Sequence, residues 1–556
     1  MTRAEFQSSI NELQQRLQER DRLIAALRDT QTQLEGRIAA LESSLVNHAS
    51  ENEWLKRQLF GVKSERSGTN ELQLTLGDLL AEQEELRKQL DKLVKDAEAT
   101  GGGSGDATSE PKEKPKPKGR RNLELSKLPK VVVDLTDPEL EKTSKVIGYE
   151  ESRQLMFQRG GFKVLVRRQA KYEVQVNDEK TVLVTPAPKQ LFPRTLGHSS
   201  LYAHLAIQKF ALGVPHHRLE KHLEGQGEPL DRGTMGRWME DLGNTLGATI
   251  VHAMFRDAIE NCSVLSTDAT GAAIQPEPNG KKQKRACRKG HFFTIVADAR
   301  HVLFAYTNKH SQEFVAKLFH GFQGLIQSDA SSVYDILDRG PPVDDGEQPV
   351  ALVGCWAHCR RYFFDAAVVR YPVGIEGLTY IQAIYRADMA LSGLPPSKRK
   401  RLREERVLPL VERFYAWVHQ AVRNTPGRSP ATRALNYAIN QEQELRRVFL
   451  DGRLPLDNTR SERALRTIVV GRKAWMFYGS DVHAEAAAAH FTIIASCRLH
   501  HLDPEAYFDE VIRVLPYWPR DRYLELAPVN WAATRACLDQ GELAAPWGPI
   551  TVPPAP

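Results

Sequence analysis

Between residues 10 and 59 apolar side chains return at alternating spacings of three and four. One series runs Ile10, Leu17, Ile24, Gln31, Ile38, Leu45, Asn52, Leu59 and the other Leu13, Arg20, Leu27, Leu34, Leu41, His48, Leu55. A helix carrying so narrow a stripe over seven heptads buries it against another helix. β-Branched residues at a and leucine at d favour a parallel two-stranded coiled coil, and Asn52 at an a position sets its register. The pattern predicts a coiled coil over residues 1–60 that makes the chain a homodimer or higher assembly. After a break at Gly61 and at Ser67-Gly68-Thr69-Asn70, a second leucine-rich helix falls within 61–96.

Residues 97–121 (AEATGGGSGDATSEPKEKPKPKGRR) change character: flexible Gly/Ser, then a stiff Pro/Lys arm, which is a linker composition. Its glycine run has no strand before it and no GKS or GKT after it, so it is not a phosphate loop. Alternating apolar residues between Lys130 and Val184 (VVVDL, FKVLVRRQ, KYEVQV, TVLV) predict a small β-rich module over 122–190. Over 191–255 short helical stretches are joined by Gly213-Val214-Pro215 and by Gly225–Asp231. This resembles a helix-turn-helix whose reading helix would start after Asp231 and present Arg232, Thr234 and Arg237. From Val264 apolar strands (VLSTDAT, HFFTIVADA, HVLFAYT, GLIQSDA, VALVGC) are interspersed with helices, the pattern of an α/β core over 256–500 with an all-helical stretch at about 366–450. A helical tail, 501–556, closes the chain. The fold class is therefore multidomain: a coiled coil, a small β-rich module, a helix-turn-helix-like region, and an α/β core with an all-helical insertion.

Charge is small in sum and uneven in place. The net charge is +6, yet 111–121 holds six basic residues and one acid, 281–290 six and none, and 453–473 six against two. Basic islands on a near-neutral body are what phosphate-backbone binding needs, although most such runs are merely solvated surface. Lys116, Lys118, Arg120 and Arg121 of the linker are candidate contacts. No apolar run reaches the length of a membrane span, and the first residues lack the apolar core of a signal peptide. Six scattered cysteines exclude a disulfide scaffold. These features predict a cytoplasmic protein, nucleoid-associated when bound to DNA.

Two aspartates stand at strand ends of the α/β core: Asp268, read as ending the first strand, and Asp329, read as ending the fourth. Carboxyl ends of strands collect ligands in such sheets, and paired carboxylates hold divalent cations. Glu462 is the candidate third carboxylate. Thr459-x-x-Glu462 also fits a capping box, in which the glutamate only closes a helix start. Arg460, Arg463, Arg466, Arg472 and Lys473 around it favour a phosphate and metal site. Cys355, His358 and Cys359 crowd one strand-to-helix turn and suit zinc poorly. Arg360 and Arg361 beside them are candidate phosphate contacts.

The segments LFGVKSER (59–66), GRRNLELSKLP (119–129), TPAP (185–188), STDAT (266–270), QSDASSVYD (327–335), CWAHCRRYFFDA (355–366) and DNTRSERALRTIVVGRKAWMFYGSD (457–481) resemble the bacterial DDE transposases of the insertion sequence 66 family. The resemblance runs from about Leu59 to Trp531. It implies an RNase H-like catalytic fold with a helical insertion before the glutamate, and the catalytic and metal-binding triad Asp268, Asp329, Glu462, separated by 61 and 133 residues. It further implies two Mg²⁺ (or Mn²⁺) ions per active site, and cleavage of double-stranded DNA at terminal inverted repeats with strand transfer into target DNA. Small accessory proteins of the same element are possible partners on the same ground. The family's zinc module carries cysteine pairs, whereas this chain has no cysteine before Cys262. No structural zinc is therefore expected, and the β-rich module must cohere by packing alone. The rival reading is a catalytically silent descendant retained as a coiled-coil DNA-binding protein.

Overall fold

The structure, a computed structural model, describes residues 129–555 apart from 143–144, 159–160, 177–178, 229, 277–285, 338–349 and 426. The expected coiled coil, the helix of 61–96 and the linker with Lys116, Lys118, Arg120 and Arg121 lie outside the described residues. The described residues fall into two compact units, one of 356–443 and one of the remainder.

The larger unit opens with a four-stranded sheet built on one long strand, β3 (Gly161–Val176). Antiparallel β2 (Val146–Gln158) lines one edge of it. The other edge is shared end to end by β1 (Lys130–Leu135), parallel to residues 164–169, and β4 (Glu179–Val184), antiparallel to 171–176. Leu155 and Phe162 enter the same core as Leu201, Tyr202 and Leu205 of helix α1 (Ser199–Ala206), so the sheet is fastened by apolar packing.

Helix α1 is followed by α2 (His216–Gly225), which starts after Pro215, and by α3 (Arg232–Leu246). Asp231 caps α3, its carboxylate accepting from the N–H groups of Gly233 and Thr234 at 2.8 and 3.2 Å. After a π-helical turn at Gly247–Val251 the chain continues as α4 (His252–Asn261).

The second sheet has the strand order β7-β6-β5-β8-β9. Its antiparallel half is β5 (Val264–Ile274), β6 (Arg288–Ala297) and β7 (His301–Thr307). Its parallel half adds β8 (Leu325–Gln327) and β9 (Ala351–Val353), with α5 (Gln312–Leu318) between β7 and β8. Two helices cross this sheet's neighbourhood: α11 (Thr459–Trp475) against β5, and the alanine-rich α12 (Asp481–Leu499) against β7. The edge strand β7 is covered by side chains: Ser496 and Thr492 of α12 accept from the N–H groups of Val302 and Phe304 at 3.1 and 2.9 Å. Bonding an edge in this way removes a template for intermolecular pairing. On its other side α12 meets α3, where a Cβ on Gly243 would overlap the backbone of Ala486. Buried Asp257 of α4 accepts from Arg300 and His301 at 2.8 and 2.7 Å, fastening α4 to the β6–β7 hairpin.

The smaller unit is all helical: α6 (Trp356–Val368), α7 (Pro372–Met389), α8 (Pro396–Arg406), α9 (Leu408–Arg423) and α10 (Pro430–Asn440). Proline in the first turn starts α7 to α10, where its missing N–H costs nothing. Phe363, Ile381, Ile384, Phe414 and Tyr415 form its buried centre. The basic run at 398–406 is partly structural, since fully buried Arg403 makes a two-point pair with Asp388 at 2.6 and 3.2 Å.

Two local expectations are corrected. Asp268 does not end its strand: β5 runs on to Ile274, because the stretch beyond Asp268 continues to pair with β6 as far as Arg288. Nor does Thr459 cap the helix of Glu462. Asn458 occupies the cap position and Thr459 is already helical, so the Thr459–Glu462 capping box does not form. The exposed end of that helix is served instead by Asp457, whose carboxylate accepts from Thr459 N–H at 3.2 Å.

Candidate active site

The parallel pairing of β5 with β8 ends at Ser266 opposite Gln327. Asp268, still within β5, and Asp329, in the loop two residues past the end of β8 rather than at the strand end expected for it, each follow that pair by two residues. Both are half-buried. Each is braced by local backbone: Asp268 accepts from Ala269 N–H at 2.7 Å and Asp329 from Ser331 N–H at 3.2 Å. Buried Tyr334 reports on both. Burial raises its phenol well above the ordinary value, the Thr267 hydroxyl at 3.4 Å opposes this, and the charges of Asp329 and Asp268 raise it further. It therefore stays a neutral hydroxyl beside two carboxylates.

Glu462 sits half-buried on the first turn of α11. The start of that helix is bound to the strand of Asp268: the Asn458 amide donates to Thr267 O at 2.6 Å, and Asn458 N–H donates to the Cys355 sulfur at 3.2 Å. The buried Gln327 amide donates to Pro455 O at 3.0 Å, linking the end of β8 to the approach of α11. Further along, the Arg472 guanidinium donates to Thr270 Oγ1 at 3.1 Å and to Gly271 O. Among the described residues no three His, Cys, Asp or Glu side chains are drawn together closely enough to form a ready metal cluster. Asp268 and Asp329 both act on Tyr334, and Glu462 lies on the helix whose start is bound to the strand of Asp268.

The basic candidates divide. Arg463, Arg466 and Lys473 are exposed on α11, whereas Arg472 is bound to the backbone of β5. Arg232 and Arg237 are exposed and Thr234 half-buried at the start of α3, where the Arg237 guanidinium donates to Thr234 Oγ1 at 3.0 Å. The rest of α3 is packed on α12, with His490 donating to Met239 O at 2.8 Å. In the helical unit Arg361 is exposed and Arg360 half-buried near the start of α6. Cys355 and Cys359 are both buried thiols.

Sequence reasoning passed over Asn458, Gln327 and Tyr334. Tyr334 lies in the QSDASSVYD segment and was legible as a neighbour of Asp329. The roles of Asn458 and Gln327 depend on carbonyls remote in sequence.

Comparison with known proteins bears on the same segments. A family model described as transposase of the IS66 family matches residues 194–486, and an IS66 C-terminal element matches 492–529. A third, described as transposase C of IS166 homeodomain, matches 50–133, most of it outside the described residues. The uncharacterized protein y4qI of Sinorhizobium fredii (strain NBRC 101917 / NGR234) is 26% identical over 402 residues, 70% of this chain and 72% of the relative. The uncharacterized protein y4hP of the same organism is 25% identical over 397 residues, 67% and 69% of the two chains. No helix among the described residues is long and apolar enough to cross a membrane. With its match running from before α1 into α12, over more than half of its length, the chain belongs to the IS66 transposase family.

Proposed function

We propose that this protein is a DDE transposase that cleaves DNA at transposon ends and joins the freed 3′-hydroxyls to target DNA, with Asp268, Asp329 and Glu462 as its catalytic carboxylates. The observation that carries the reading is the parallel pairing of β5 with β8, which Asp268 and Asp329 each follow by two residues, together with the Asn458–Thr267 bond that fastens the helix of Glu462 to the strand of Asp268. The sheet order, three antiparallel strands followed by two parallel ones, supports an RNase H-like catalytic domain. The compact helical unit of 356–443 supports a helical insertion ahead of Glu462.

The donor set is three carboxylates, hard oxygen ligands without thiolate, which fits Mg²⁺ or Mn²⁺. Asp268, Asp329 and Glu462 would hold the ions, two per site. When bound, such ions stabilise charge on the phosphate and lower the pKa of the attacking water or 3′-hydroxyl. The protein's own part is positional. Ala269 and Ser331 N–H groups orient the aspartates, Asn458 anchors the helix of the glutamate, and Tyr334 supplies a hydroxyl that stays protonated. Exposed Arg232, Arg237, Arg361, Arg463, Arg466 and Lys473 are assigned to the DNA backbone, as are Lys116, Lys118, Arg120 and Arg121. The heptads of 1–60 are assigned to homodimer formation.

The test is strand cleavage and joining on the element's own terminal DNA, with Mg²⁺ against EDTA. Glu462→Gln, Asp268→Asn and Asp329→Asn should each lower the rate by orders of magnitude while melting temperature and DNA affinity persist. Wild-type protein that binds terminal DNA but never cleaves it would overturn the reading in favour of a silent DNA-binding descendant.

A further inference from the structure

A cleft of about 750 Å³ opens between the β1–β4 sheet, the segment 187–196 and the C-terminal tail, away from the carboxylates. Four of its lining residues are cationic, Arg153, Arg167, Lys189 and Arg194, and none is acidic. Arg153 is neutralised by Glu151 at 2.7 Å. The other three have no carboxylate partner among the described residues.

Arg167 is the informative one. It lies on β3, opposite Val133 of β1 and Ser152 of β2, where strand alternation puts it on the face of Leu165. That face is closed by Trp547, which packs on Leu165 and Met156, with the Arg167 guanidinium over its ring at 5.5 Å. Only 8% of Arg167 remains exposed, and its Nε has no hydrogen-bond acceptor. The Trp547 indole N–H, on the same wall, is also buried without an acceptor. Burial alone accounts for the lowering of the Arg167 pKa to about 10, with no carboxylate opposing it. Burying a cation unpaired is among the costliest things a fold can do, and leaving an indole N–H orphaned beside it adds to the cost. Exposed Lys189 and Arg194 flank the opening; Arg194 is held in the left-handed region at φ 65°. A cleft with two buried donors lacking acceptors, two exposed cations at its mouth and no carboxylate in its lining is complementary to an oxyanion.

We infer that this cleft is a phosphate-binding site, separate from the carboxylate centre, that takes a backbone phosphodiester of bound DNA between Arg167, Lys189, Arg194 and the Trp547 N–H. The choice of DNA over free phosphate rests on the function proposed above; the phosphate chemistry does not. Lined by none of the three carboxylates, such a site would grip the same duplex at a second point and contribute to affinity without reading sequence.

Two arms test it on the full-length protein. In the first, DNA affinity is measured over a range of salt for wild type and for Lys189→Ala/Arg194→Ala, whose exposed positions leave melting unchanged. Losing one phosphate contact flattens the slope of log affinity against log salt by about 0.9, so the double variant should lose up to about 0.9 and bind every duplex more weakly by a similar factor. In the second arm, inorganic phosphate at constant ionic strength should raise the melting temperature of wild type but not of Arg167→Met. Without phosphate Arg167→Met should melt no lower than wild type, since it removes an unpaired buried charge. An unchanged salt slope with an intact phosphate effect would assign the site to free phosphate and overturn the DNA assignment. A phosphate effect that is absent in wild type, or that survives in Arg167→Met, would overturn the site itself. Wild type that fails to bind DNA at all would refute the transposase reading, and the second arm would still decide the cleft.

Discussion

The side chain of Asn458 hydrogen-bonds the main chain of Thr267 at 2.6 Å across 191 residues of sequence. Asn458 is 1% exposed and spends its amide on a strand carbonyl rather than on its own helix. Position and attachment of α11 are thereby decided together: the residue that starts the helix also fixes it beside Asp268.

Asn458→Ala should therefore cost about 1–2 kcal/mol of stability, the usual worth of a buried bond whose carbonyl partner is left unsatisfied. Because the anchor of Glu462 loosens, cleavage should fall by about tenfold or more, beyond what melting predicts. Thr459→Ala, by contrast, should change stability by less than about 0.5 kcal/mol, since Thr459 is not the cap. Thermal melting beside a cleavage assay separates the two; a costly Thr459→Ala would restore the capping box.

Gly243→Ala should destabilise by about 1–3 kcal/mol despite the better helix propensity of alanine. The added methyl meets backbone atoms of Ala486, which cannot rotate away as a side chain would. Gly236→Ala, on the same helix with open space around its Cβ position, should be neutral or stabilising. Chemical denaturation of the pair gives the comparison directly.

Asp257→Ala should cost about 3–5 kcal/mol, because it leaves His301 and Arg300 without their shared carboxylate. Asp257→Asn should cost less, as one oxygen still accepts. Asp257→Asn melting like wild type would show that charge at Asp257 is immaterial.

Acid should weaken the fold through His490. Burial lowers its pKa to about 4, only partly offset by its bond to Met239 O, while the unfolded residue titrates near 6.5. The unfolded chain thus binds a proton first as pH falls, so stability declines from about pH 6.5 to pH 4, by on the order of 3 kcal/mol from this residue. Burial holds His216 down likewise, to about 3, and extends the decline. Melting curves across this range should show a shallower slope for His490→Gln than for wild type.

Much of this architecture is written in local pattern. Valine-rich alternation marks β1, β3 and β4 and apolar runs mark β5 to β9, whereas β2 (VIGYEESRQLMFQ) carries no such run; Pro or Asp/Ser starts mark α3, α7 to α10, α12 and the tail. The errors share a cause. Ala-Thr-Gly-Ala-Ala after Asp268 has poor strand propensity, and only pairing with β6 keeps it extended. Asn458 and Thr459 are equally good caps locally, and the acceptor that decides between them sits on a distant strand. Arg167 stood in plain view within FKVLVRRQ, where alternation places it with Leu165, yet what makes it unusual is Trp547 from the far end of the chain. Helix attachment and buried charge are long-range facts; strand and helix identity are largely short-range ones.

The span between Thr267 and Asn458 also sets a clock. A ribosome adding about 5–20 residues per second needs roughly 10–40 s to pass from one to the other. During that interval the strand of Asp268 has emerged and the helix of Glu462 does not yet exist. The unit of 356–443 is made meanwhile and has its own buried centre to fold around. A nascent or prematurely terminated chain can thus carry both aspartates while lacking the third carboxylate. If cleavage needs all three, the chain cannot cut DNA until about the last sixth of its synthesis.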